Sequence, residues 1–511
     1  MLKIHSLPDS QEKSTLFEIL INGVPLKAEF ARISSMPFNT PWPGHQRDKS
    51  QTEESGFISF ESDETVILEV KTDKIIEKAV VRPLSKNVKV EIVAENTVRF
   101  ELTKIWSYVL EINGLHNPLH IFFNPVKDFK ADAENEMKQG RKVYFFGKGV
   151  HNIGNLEIES HSTVTIDAGA VVYGNISAFS AEDVKINGYG VLDGSCEIRT
   201  NETLLIPVIR NSDDSTFFEN DKKKFDTFMN ETACLKGLLR FYFSKNINCE
   251  GIILRDSSTF CVIPAACDNV TIDNIKTIGM WRYNSDGIDI FNSADITVKN
   301  CFLRNFDDVM VIKGIVGWDN RNNENITVDN CVLWCDWGAV CEIGAETLAP
   351  EYKNIVFKNC DLLYDAAGAM MRIQHFNSSD IYNVRYENMH CEFRYDQMNS
   401  TLQTSENQVY EYKQGTYQPY ILDLTYREAN LFCRNNKNIK GKMHNIEFNN
   451  IYLHFEEGMI TLPQIHLFGL SEKHSVNDIK LENFYINGKK VESIEELNPE
   501  INEYVYNIEF K

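Results

Sequence analysis

The sequence predicts an all-β protein in which an N-terminal β-sandwich precedes a long parallel β-helix. Three features predict this class: a repeat of about 30 residues, alternation of apolar residues inside each repeat, and a separate N-terminal region of short alternating runs. A chain of 511 residues would otherwise suggest about three globular domains. A solenoid grows by adding coils, so this length is compatible with one repetitive domain and one smaller domain.

The repeat is defined by one aliphatic residue in each of eight segments. The aliphatic residues are Ile247, Val270, Ile296, Ile326, Ile355, Val384, Ile446 and Ile479. Seven of the segments carry asparagine four positions later, and an apolar residue follows each time: the asparagines are Asn274, Asn300, Asn330, Asn359, Asn388, Asn450 and Asn483. Successive segments are 23, 26, 30, 29, 29, 62 and 33 residues apart, and the interval of 62 is interpreted as a double turn.

The segments are predicted to be strands, because their apolar residues alternate and leave no helical face. A leucine-rich repeat would need a leucine-dominated consensus and a shorter period. Coils stacked at roughly 4.8 Å would place the asparagines in a ladder of amides and the following residue in the interior. Cys301, Cys331 and Cys360 occupy that interior column, which predicts buried free thiols. Cys331 and Cys335 form a lone pair without zinc-site spacing, so no metal and no cofactor are predicted.

Four regions follow from these patterns. Residues 1–128 are predicted to form the β-sandwich. Residues 129–141 contain a linker and a short helix, from Asp132 to Gln139, that we expect to cap the open end of the solenoid. Residues 142–490 form the β-helix, and residues 491–511 form a C-terminal cap. Two polar excursions, roughly residues 196–235 and 394–440, are expected to wall a groove along the solenoid.

Composition limits the partners of the chain. It has 52 basic and 73 acidic residues, a net charge of −21, and no basic cluster, which argues against nucleic acid and anionic membranes. No apolar stretch approaches the roughly 20 residues of a membrane span. The first residues lack the apolar core of a secretory signal, so we expect a cytoplasmic protein. A homo-oligomer is compatible with the sequence.

Two acidic clusters indicate a carboxylate active site. Asp286 and Asp289 lie in NSDGIDIF, and Asp307 and Asp308 follow 21 residues later in FDDVMVIKG. Stacked coils would bring these carboxyl groups together, and glycoside hydrolysis needs one carboxylic acid and one carboxylate. Crowded acidic groups repel one another, so one of them should retain a proton near neutral pH. The alternative is that these residues only bond to turn backbone, as Asx motifs do.

The order of the motifs resembles a known family. NSDGIDIF, RNFDDVMVIKG, WGAVCEIGAE and MMRIQ are similar, in that order, to the NTDGxD, DD, GHG and RIK motifs of the polygalacturonases, glycoside hydrolase family 28. This resemblance covers about residues 142 to 376 and implies a right-handed parallel β-helix. The N-terminal sandwich resembles that of the dextranase and isopullulanase group, glycoside hydrolase family 49. Both groups imply hydrolysis with inversion by three aspartates.

Carried over position by position, the resemblance implies that Asp307 is the general acid and that Asp286 and Asp308 activate water. Stacking at about 4.8 Å would by itself suggest a close carboxyl pair and a retaining mechanism, so inversion is predicted from the resemblance. Two positions depart from the family pattern. Ala339 stands where the GHG motif has histidine, and Gln374 stands where the RIK motif has lysine.

Further residues are predicted to contact the substrate. The loss of a cation at Gln374 favours a neutral sugar beside the aspartates, although an arginine can hold a carboxylate in a bidentate fork. His375 is a candidate replacement for the missing histidine, and Trp281 is a candidate stacking surface or, equally, packing under a loop. The full set is Trp281, Asn284, Asp289, Lys313, Glu342, Arg372, Gln374 and His375. Glu342 and Arg372, one coil apart, are expected to pair with each other or with sugar hydroxyls.

The sequence therefore predicts an inverting glycoside hydrolase that acts on an oligosaccharide. We expect exo action, because a cytoplasmic enzyme meets imported fragments and not polymers, and a neutral sugar. Polygalacturonase activity on galacturonides is the first alternative. A calcium-dependent polysaccharide lyase, which would need a basic proton acceptor, and a non-catalytic carbohydrate-binding solenoid are the others.

Overall fold

The computed structural model describes residues 2–35, 49, 52–197, 222–223, 225, 237–315, 317–366, 368–397, 417–427 and 441–511. Strands dominate this part of the chain, in a separate N-terminal sheet and a long parallel solenoid. Between them lies the α-helix Phe129–Lys138, and short 3₁₀ helices occur at Leu84–Lys86 and Ile494–Leu497. No helix among these residues combines the length and the apolar character that a membrane span requires.

Ten described strands form the N-terminal sheet. They are Lys3–Ile4, Lys13–Ile21, Val24–Ser34, Thr52–Glu61, Val66–Lys71, Ala79–Arg82, Val90–Ala94, Thr97–Leu102, Trp106–Ile112 and Leu119–Asn124. Ile19, Leu68 and Phe100 from one half of the sheet share an apolar core with Phe60 and Ile121 from the other half. One continuous sheet thus folds over itself and forms the predicted β-sandwich.

The helix Phe129–Lys138 begins at Asp128, whose carboxylate accepts a hydrogen bond from the Ala131 amide at 3.0 Å. Glu136 on this helix binds Lys185 at 2.5 Å and also accepts a bond from Thr163. Both partners belong to strands of the first solenoid coils. The helix therefore packs against the side of these coils, whereas the sequence predicted a cap over their open end.

The solenoid has three faces, each a stack of parallel strands. Sheet 1 contains Lys142–Phe146, Ser162–Ile166, Glu182–Gly188, Lys245–Glu250, Asp268–Asp273, Ala294–Lys299, Asn323–Asp329, Glu351–Lys358 and Val505–Phe510, and the first parts of Asp380–Phe393, Met443–Phe455 and Val476–Ile486. The later parts of those three long strands continue into sheet 2, with Val191–Asp193, Ile253–Arg255, Lys276–Ile278, Phe302–Asn305, Val332–Cys335 and Asp361–Asp365.

Sheet 3 is the third face. Its strands are Leu239–Tyr242, Val262–Ala265, Ile288–Phe291, Met310–Gly314, Cys341–Thr347, Ala369–His375, Tyr420–Tyr426, Ile465–Phe468 and Glu500–Ile501. Gly149–Glu157 and Ala170–Phe179 each run from sheet 2 into sheet 3, and Lys489–Lys490 forms a hairpin with Val476–Ile486. Core residues alternate with outward residues along these strands, as period-two patterning requires.

The predicted repeat register is confirmed. Ile296 pairs with Ile326, and Ile326 pairs with Ile355, in neighbouring strands of sheet 1. The thiols of the predicted cysteine column, which belong to Cys301, Cys331 and Cys360, are buried in the core and free. The solenoid thus follows the spacing of the anchor residues.

The asparagine ladder is present but interrupted. Asn330 donates to Asn300 at 2.6 Å and Asn388 donates to Asn359 at 2.7 Å, but Asn359 itself donates to Asp329 at 2.7 Å. Each ladder asparagine has a left-handed backbone, with φ between 53° and 61°. Asparagine tolerates this conformation better than most residues do, so it serves both the turn and the ladder.

The residues immediately before the aliphatic anchor residues form a second ladder. Asn354 donates to Asn325 at 3.1 Å and accepts from Asn383 at 3.3 Å, and Asn445 donates to Asn383 at 2.6 Å. These residues also have left-handed backbones. The signal was visible in the sequence, since asparagine or aspartate precedes all eight anchor residues.

The structure corrects two predictions about the solenoid and leaves a third largely outside the described residues. The interval of 62 residues is one coil with an insertion and not a double turn, because Val384 pairs directly with Ile446. Parallel pairing continues beyond residue 490, since Ile479 pairs with Ile508 in the predicted C-terminal cap. Most of the two polar excursions, residues 198–221 and 398–416 among them, lies outside the described residues.

The N-terminal domain packs on sheet 2 of the solenoid. The rings of Phe122 and Phe302 lie 5.4 Å apart. Beside this apolar contact, Arg82 forms ion pairs with Glu111 of its own domain and with Glu392 and Glu456 of the solenoid. The two domains are thus joined by a shared core and by buried charges.

Candidate active site

Three of the four acidic residues lie in turns that connect sheet 2 to sheet 3, and Asp289 lies at the start of the strand Ile288–Phe291. Residues 279–287 form one of these turns and contain Asp286, and residues 306–309 form the next and contain Asp307 and Asp308. Gly287 follows Asp286 and begins the approach to sheet 3, where its amide donates to the Asp308 carbonyl at 2.7 Å. Because the two turns are successive in the stack, the carboxyl groups meet at one edge of sheet 3.

Carboxylate oxygens of Asp286, Asp307 and Asp308 lie within 4.8 Å of one another. Asn305 donates to the Ser285 carbonyl at 3.0 Å and so fixes the turn that carries Asp286. Asp308 accepts the amide of Ala339 at 3.0 Å, so the backbone at the missing-histidine position orients a carboxylate. The three predicted catalytic residues therefore form one cluster.

Gly338 makes this approach of the turns feasible. A side-chain carbon at that position would lie 2.6 Å from Oδ1 of Asp307. Such a distance is too short for non-bonded atoms. The glycine of the WGAV run is thus needed for packing against the acidic turn.

Lys313 is the counter-ion of the cluster. Its Nζ atom lies 2.8 Å from Asp308, 3.1 Å from Asp286 and 3.2 Å from Asp289. Only 8% of its side chain is exposed, whereas Asp307 lies beyond ion-pair distance from it. Lys313 was predicted to bind substrate in the groove. The structure places it inside the cluster, where it forms ion pairs with three carboxylates.

The pKa values follow from this geometry. Burial raises the pKa of Asp307 to about 7, and the Asp308 carboxylate adds to the rise. Burial also raises the pKa of Asp286 well above its ordinary value and that of Asp289 to about 7, while the Lys313 ammonium opposes both changes. Asp307 is the member of the four that forms no ion pair with Lys313, and with a pKa of about 7 it can hold a proton near neutral pH.

The Lys313 ammonium also bears on metal binding. By their spacing alone, the three carboxylates of the cluster could approach a common ion. Lys313 already supplies a positive charge at 2.8–3.2 Å from two members of that group and from Asp289. We therefore assign no metal to the cluster.

The predicted pair of Glu342 and Arg372 is present. The residues are neighbours in sheet 3, and Nε of Arg372 lies 3.0 Å from the Glu342 carboxylate. Burial raises the pKa of Glu342, and the Arg372 guanidinium opposes this rise. The next residues of the same outward row are Asp423 and His466, which bond to each other at 2.8 Å. The row continues the polar face of sheet 3 from coil to coil.

The structure corrects the roles predicted for three other residues. His375 is fully buried, bonds to Thr347 and to the Ser379 carbonyl, and stacks on Tyr426, so it does not replace the missing histidine. Trp281 is 2% exposed, which agrees with the alternative of packing under a loop. Asp289 is fully buried and meets Lys313 instead of solvent. Packing against neighbouring segments thus covers each of these side chains.

Gln374 and Asn284 remain near the groove. Gln374 alternates with core residues along its strand and is 2% exposed, and its Nε2 atom has no hydrogen-bond partner among the described residues. Asn284 is half-buried, with a left-handed backbone at φ 53°, in the turn that leads to Asp286. Its backbone conformation helps to shape that turn.

Sequence reasoning missed Glu346. This residue is 9% exposed, and burial raises its pKa. The charges of Lys313 and Asp308 also influence its pKa, so it lies close to the cluster. It follows Glu342 by four residues in the run CEIGAE, and a second acidic residue in that motif was the available signal.

Comparison with known proteins connects the site to a family. The model of the family described as glycosyl hydrolases family 28 matches residues 127–393. "Probable endopolygalacturonase D" of Emericella nidulans is 29% identical over 111 residues, which are 21% of this chain and 19% of that protein. "Exopolygalacturonase clone GBGE184" of Arabidopsis thaliana is 24% identical over 156 residues, 30% of this chain and 35% of that protein. The matches thus span about a fifth and about a third of these curated relatives.

The fold as a whole is similar to that of Dex49A from Penicillium minioluteum. The two superpose with a TM-score of 0.60 at 12% identity, over 99% of this chain and 96% of the other. The likeness therefore includes the N-terminal domain as well as the solenoid. At this identity it establishes a shared fold.

Proposed function

The chain belongs to the glycosyl hydrolases family 28, and on this premise we propose that it hydrolyses glycosidic bonds, with Asp307 as general acid and with Asp286 and Asp308 as the groups that activate water. The observation that carries the proposal is the uneven contact of Lys313, which pairs with Asp286 and Asp308 but not with Asp307. The Lys313 ammonium opposes the rise that burial causes in the pKa of Asp286, while Asp307, with a pKa of about 7 and no ion pair to Lys313, can carry the proton that a general acid donates.

The stereochemical course is proposed to be inversion, as the family resemblance implies. The oxygens of the cluster approach within 4.8 Å, and so short a separation by itself is closer to the roughly 5 Å of retaining enzymes. Asp286 and Asp308, held by one ammonium, provide two acceptors for a single water molecule, which supports inversion. Proton NMR of the first-formed product anomer would decide, and retention of configuration would refute inversion.

A galacturonide is the first substrate to test. Both curated relatives named above are polygalacturonases by name. They do not support the neutral sugar predicted from the sequence. Arg372 supports a galacturonide as well, because a guanidinium can bind a carboxylate.

A neutral glycoside is the second candidate, and the paired charges of sheet 3 favour it. Arg372 is paired with Glu342 at 3.0 Å, and Lys313 is surrounded by carboxylates. Gln374 replaces a cation with a neutral amide. A uronate at this position would have to compete with Glu342 for the guanidinium.

The deciding experiment is a side-by-side assay of oligogalacturonides and neutral oligosaccharides by release of reducing ends. Faster hydrolysis of oligogalacturonides supports the first candidate, and faster hydrolysis of a neutral series supports the second. Gln374→Lys is the companion variant, since it should favour acidic substrates. Hydrolysis of no oligosaccharide in either series would refute the proposed activity and favour the carbohydrate-binding alternative.

The mode of attack can be read from the same products. The sequence predicts exo action, and the names of the relatives include one endo-acting and one exo-acting protein. Release of a single small product from a hexasaccharide supports exo action, whereas a mixture of lengths supports endo action. A product that absorbs ultraviolet light would indicate a lyase, although Lys313, the basic group in the cluster, is already paired with carboxylates.

A further inference from the structure

A cavity of about 660 Å³ lies between the N-terminal domain and the solenoid. Gln11 and Arg32 line it from the N-terminal domain, and Arg255 and Arg282 line it from the solenoid. Its volume falls within the roughly 300–1,000 Å³ of small-ligand sites. Arg255 donates to Gln11 at 2.7 Å, so contacts between the two domains hold the walls together.

The cavity lies next to the catalytic cluster along the solenoid. Arg282 belongs to the turn of residues 279–287, which also contains Asp286. Arg255 pairs with Ile278 in the adjacent strand of sheet 2, so it lies one coil earlier. With coils about 4.8 Å apart, the cavity begins within one or two coils of the aspartates. A sugar chain bound across the aspartates could therefore extend into it.

Most charges on the solenoid wall compensate one another. Arg255 pairs with Asp193, and Nε of Arg282 lies 3.0 Å from Asp256. Arg282 also donates to the Glu197 carbonyl at 2.6 Å. These guanidinium groups are fixed by the protein itself and form a rigid polar surface.

Arg32 differs from these arginines. Its NH1 atom donates to the Thr52 hydroxyl at 3.0 Å, and its guanidinium lies 5.3 Å from the centre of the Phe30 ring. Within the ranges that the structure describes, no carboxylate pairs with it. Arg32 thus brings a positive charge, beside an aromatic surface, to a cavity that adjoins the active site. Exposed charges of both signs, from Glu12, Lys49 and Glu197, lie on the lining as well.

We propose that this cavity is a distal subsite that binds a uronate unit of the substrate, with its carboxylate on Arg32. The inference rests on the proposed glycoside hydrolysis and deepens it, because it places recognition of acidic sugars outside the altered RIK position. The ring of Phe30 offers an apolar surface to the sugar face, and the side chains of Gln11 and Tyr173 offer polar groups to its hydroxyls.

The test uses Arg32→Gln and compares oligogalacturonides of increasing length. We expect kcat/KM to fall about 10- to 100-fold for chains long enough to reach the cavity, as for a lost charge-assisted hydrogen bond. Galacturonide dimers and neutral oligosaccharides should be unaffected. Arg32→Lys should lose less, because it keeps the charge. Arg99→Gln, an exposed position in the same domain, is the matched control and should change nothing.

Binding measurements separate this inference from the proposed activity. Calorimetry with hexagalacturonate, on the full chain carrying Asp307→Asn with and without Arg32→Gln, requires no turnover. About 10-fold weaker binding with Arg32→Gln supports the subsite, even if no hydrolysis is found. Equal binding of hexagalacturonate by both proteins, no binding by either, or equal losses on dimers and hexamers would overturn it.

Discussion

At the scale of single residues, Lys313 sets the charge state of the candidate site. Four aspartates surround one ammonium group, so the cluster would carry three uncompensated negative charges if all were ionised. Burial makes such an excess costly, and protons are retained instead. The distribution of protons then depends on which carboxylates contact Lys313. The proposed acid and base roles thus depend on Lys313, which lies in the same run, FDDVMVIKG, as Asp307 and Asp308.

Lys313→Met should change the pH dependence of turnover. Removal of the ammonium, which opposes the effect of burial, should raise the pKa of Asp286 further, so this proposed water-activating group should stay protonated up to a higher pH. The acidic limb of the kcat profile should therefore move upward by about one pH unit or more. Lys313→Arg keeps the charge and should restore part of the original profile. Loss of activity with both limbs unchanged would mean that Lys313 has only a structural role.

Asp307→Asn should lower kcat by about 10²- to 10⁴-fold on natural substrates. The kcat for aryl glycosides with very good leaving groups should change little, because the departure of such a group needs little protonation. In the unmodified protein Asp307 must be protonated, so activity should decline as the pH rises through its pKa of about 7. Circular dichroism checks that the fold is intact. Equal losses on activated and natural substrates would contradict the acid role.

At the scale of the repeated elements, the asparagine ladders combine two effects. Each asparagine holds a left-handed turn that costs other residues strain, and its amide also links neighbouring coils. A coil can thus turn sharply without losing contact with the coil before it. This explains why the same residue type recurs at two places in the repeat.

Asn354 allows the two effects to be separated. It has φ 55°, donates to Asn325 and accepts from Asn383. Asn354→Ala should lower the free energy of unfolding by about 1–3 kcal/mol, through the strained turn and the lost bonds. Asn354→Gly loses the bonds but tolerates the backbone, so it should cost less. Urea denaturation of the three proteins gives the comparison, and equal losses would mean that the backbone conformation contributes nothing.

At the scale of the whole molecule, buried charges fasten the N-terminal domain to the solenoid. Arg82 binds Glu111 at 2.9 Å and Glu456 at 2.6 Å, and it also contacts Glu392. Arg394 of the solenoid also forms an ion pair with Glu111, at 2.7 Å. The cavity that holds the proposed distal subsite lies between these same two domains, so docking of the domains preserves its walls.

Arg82→Met should destabilise the protein by about 3–5 kcal/mol, because buried carboxylates lose their partner. Thermal and urea unfolding measure the loss. Lys71→Met is the control, since Lys71 and Glu18 form an exposed pair at 2.9 Å and such pairs contribute about 0–1 kcal/mol. Similar small effects of the two substitutions would show that the network does not hold the domains together.

The sequence by itself determined the fold class, the strand register and the cluster of Asp286, Asp307 and Asp308. These features depend on period and on spacing, and a solenoid converts spacing along the chain directly into stacking in space. The pair of Glu342 and Arg372 was predictable for the same reason, because the residues lie one coil apart.

Only the tertiary structure decided which polar residues are exposed and which are covered. Lys313, Asp289 and His375 lie on strands of sheet 3, and their burial depends on the packing of neighbouring coils and turns. The interval of 62 residues was resolved in the same way, since pairing of Val384 with Ile446 is a contact between distant segments. The cavity beside Arg32 requires two domains to meet, and no pattern along the chain records how they dock.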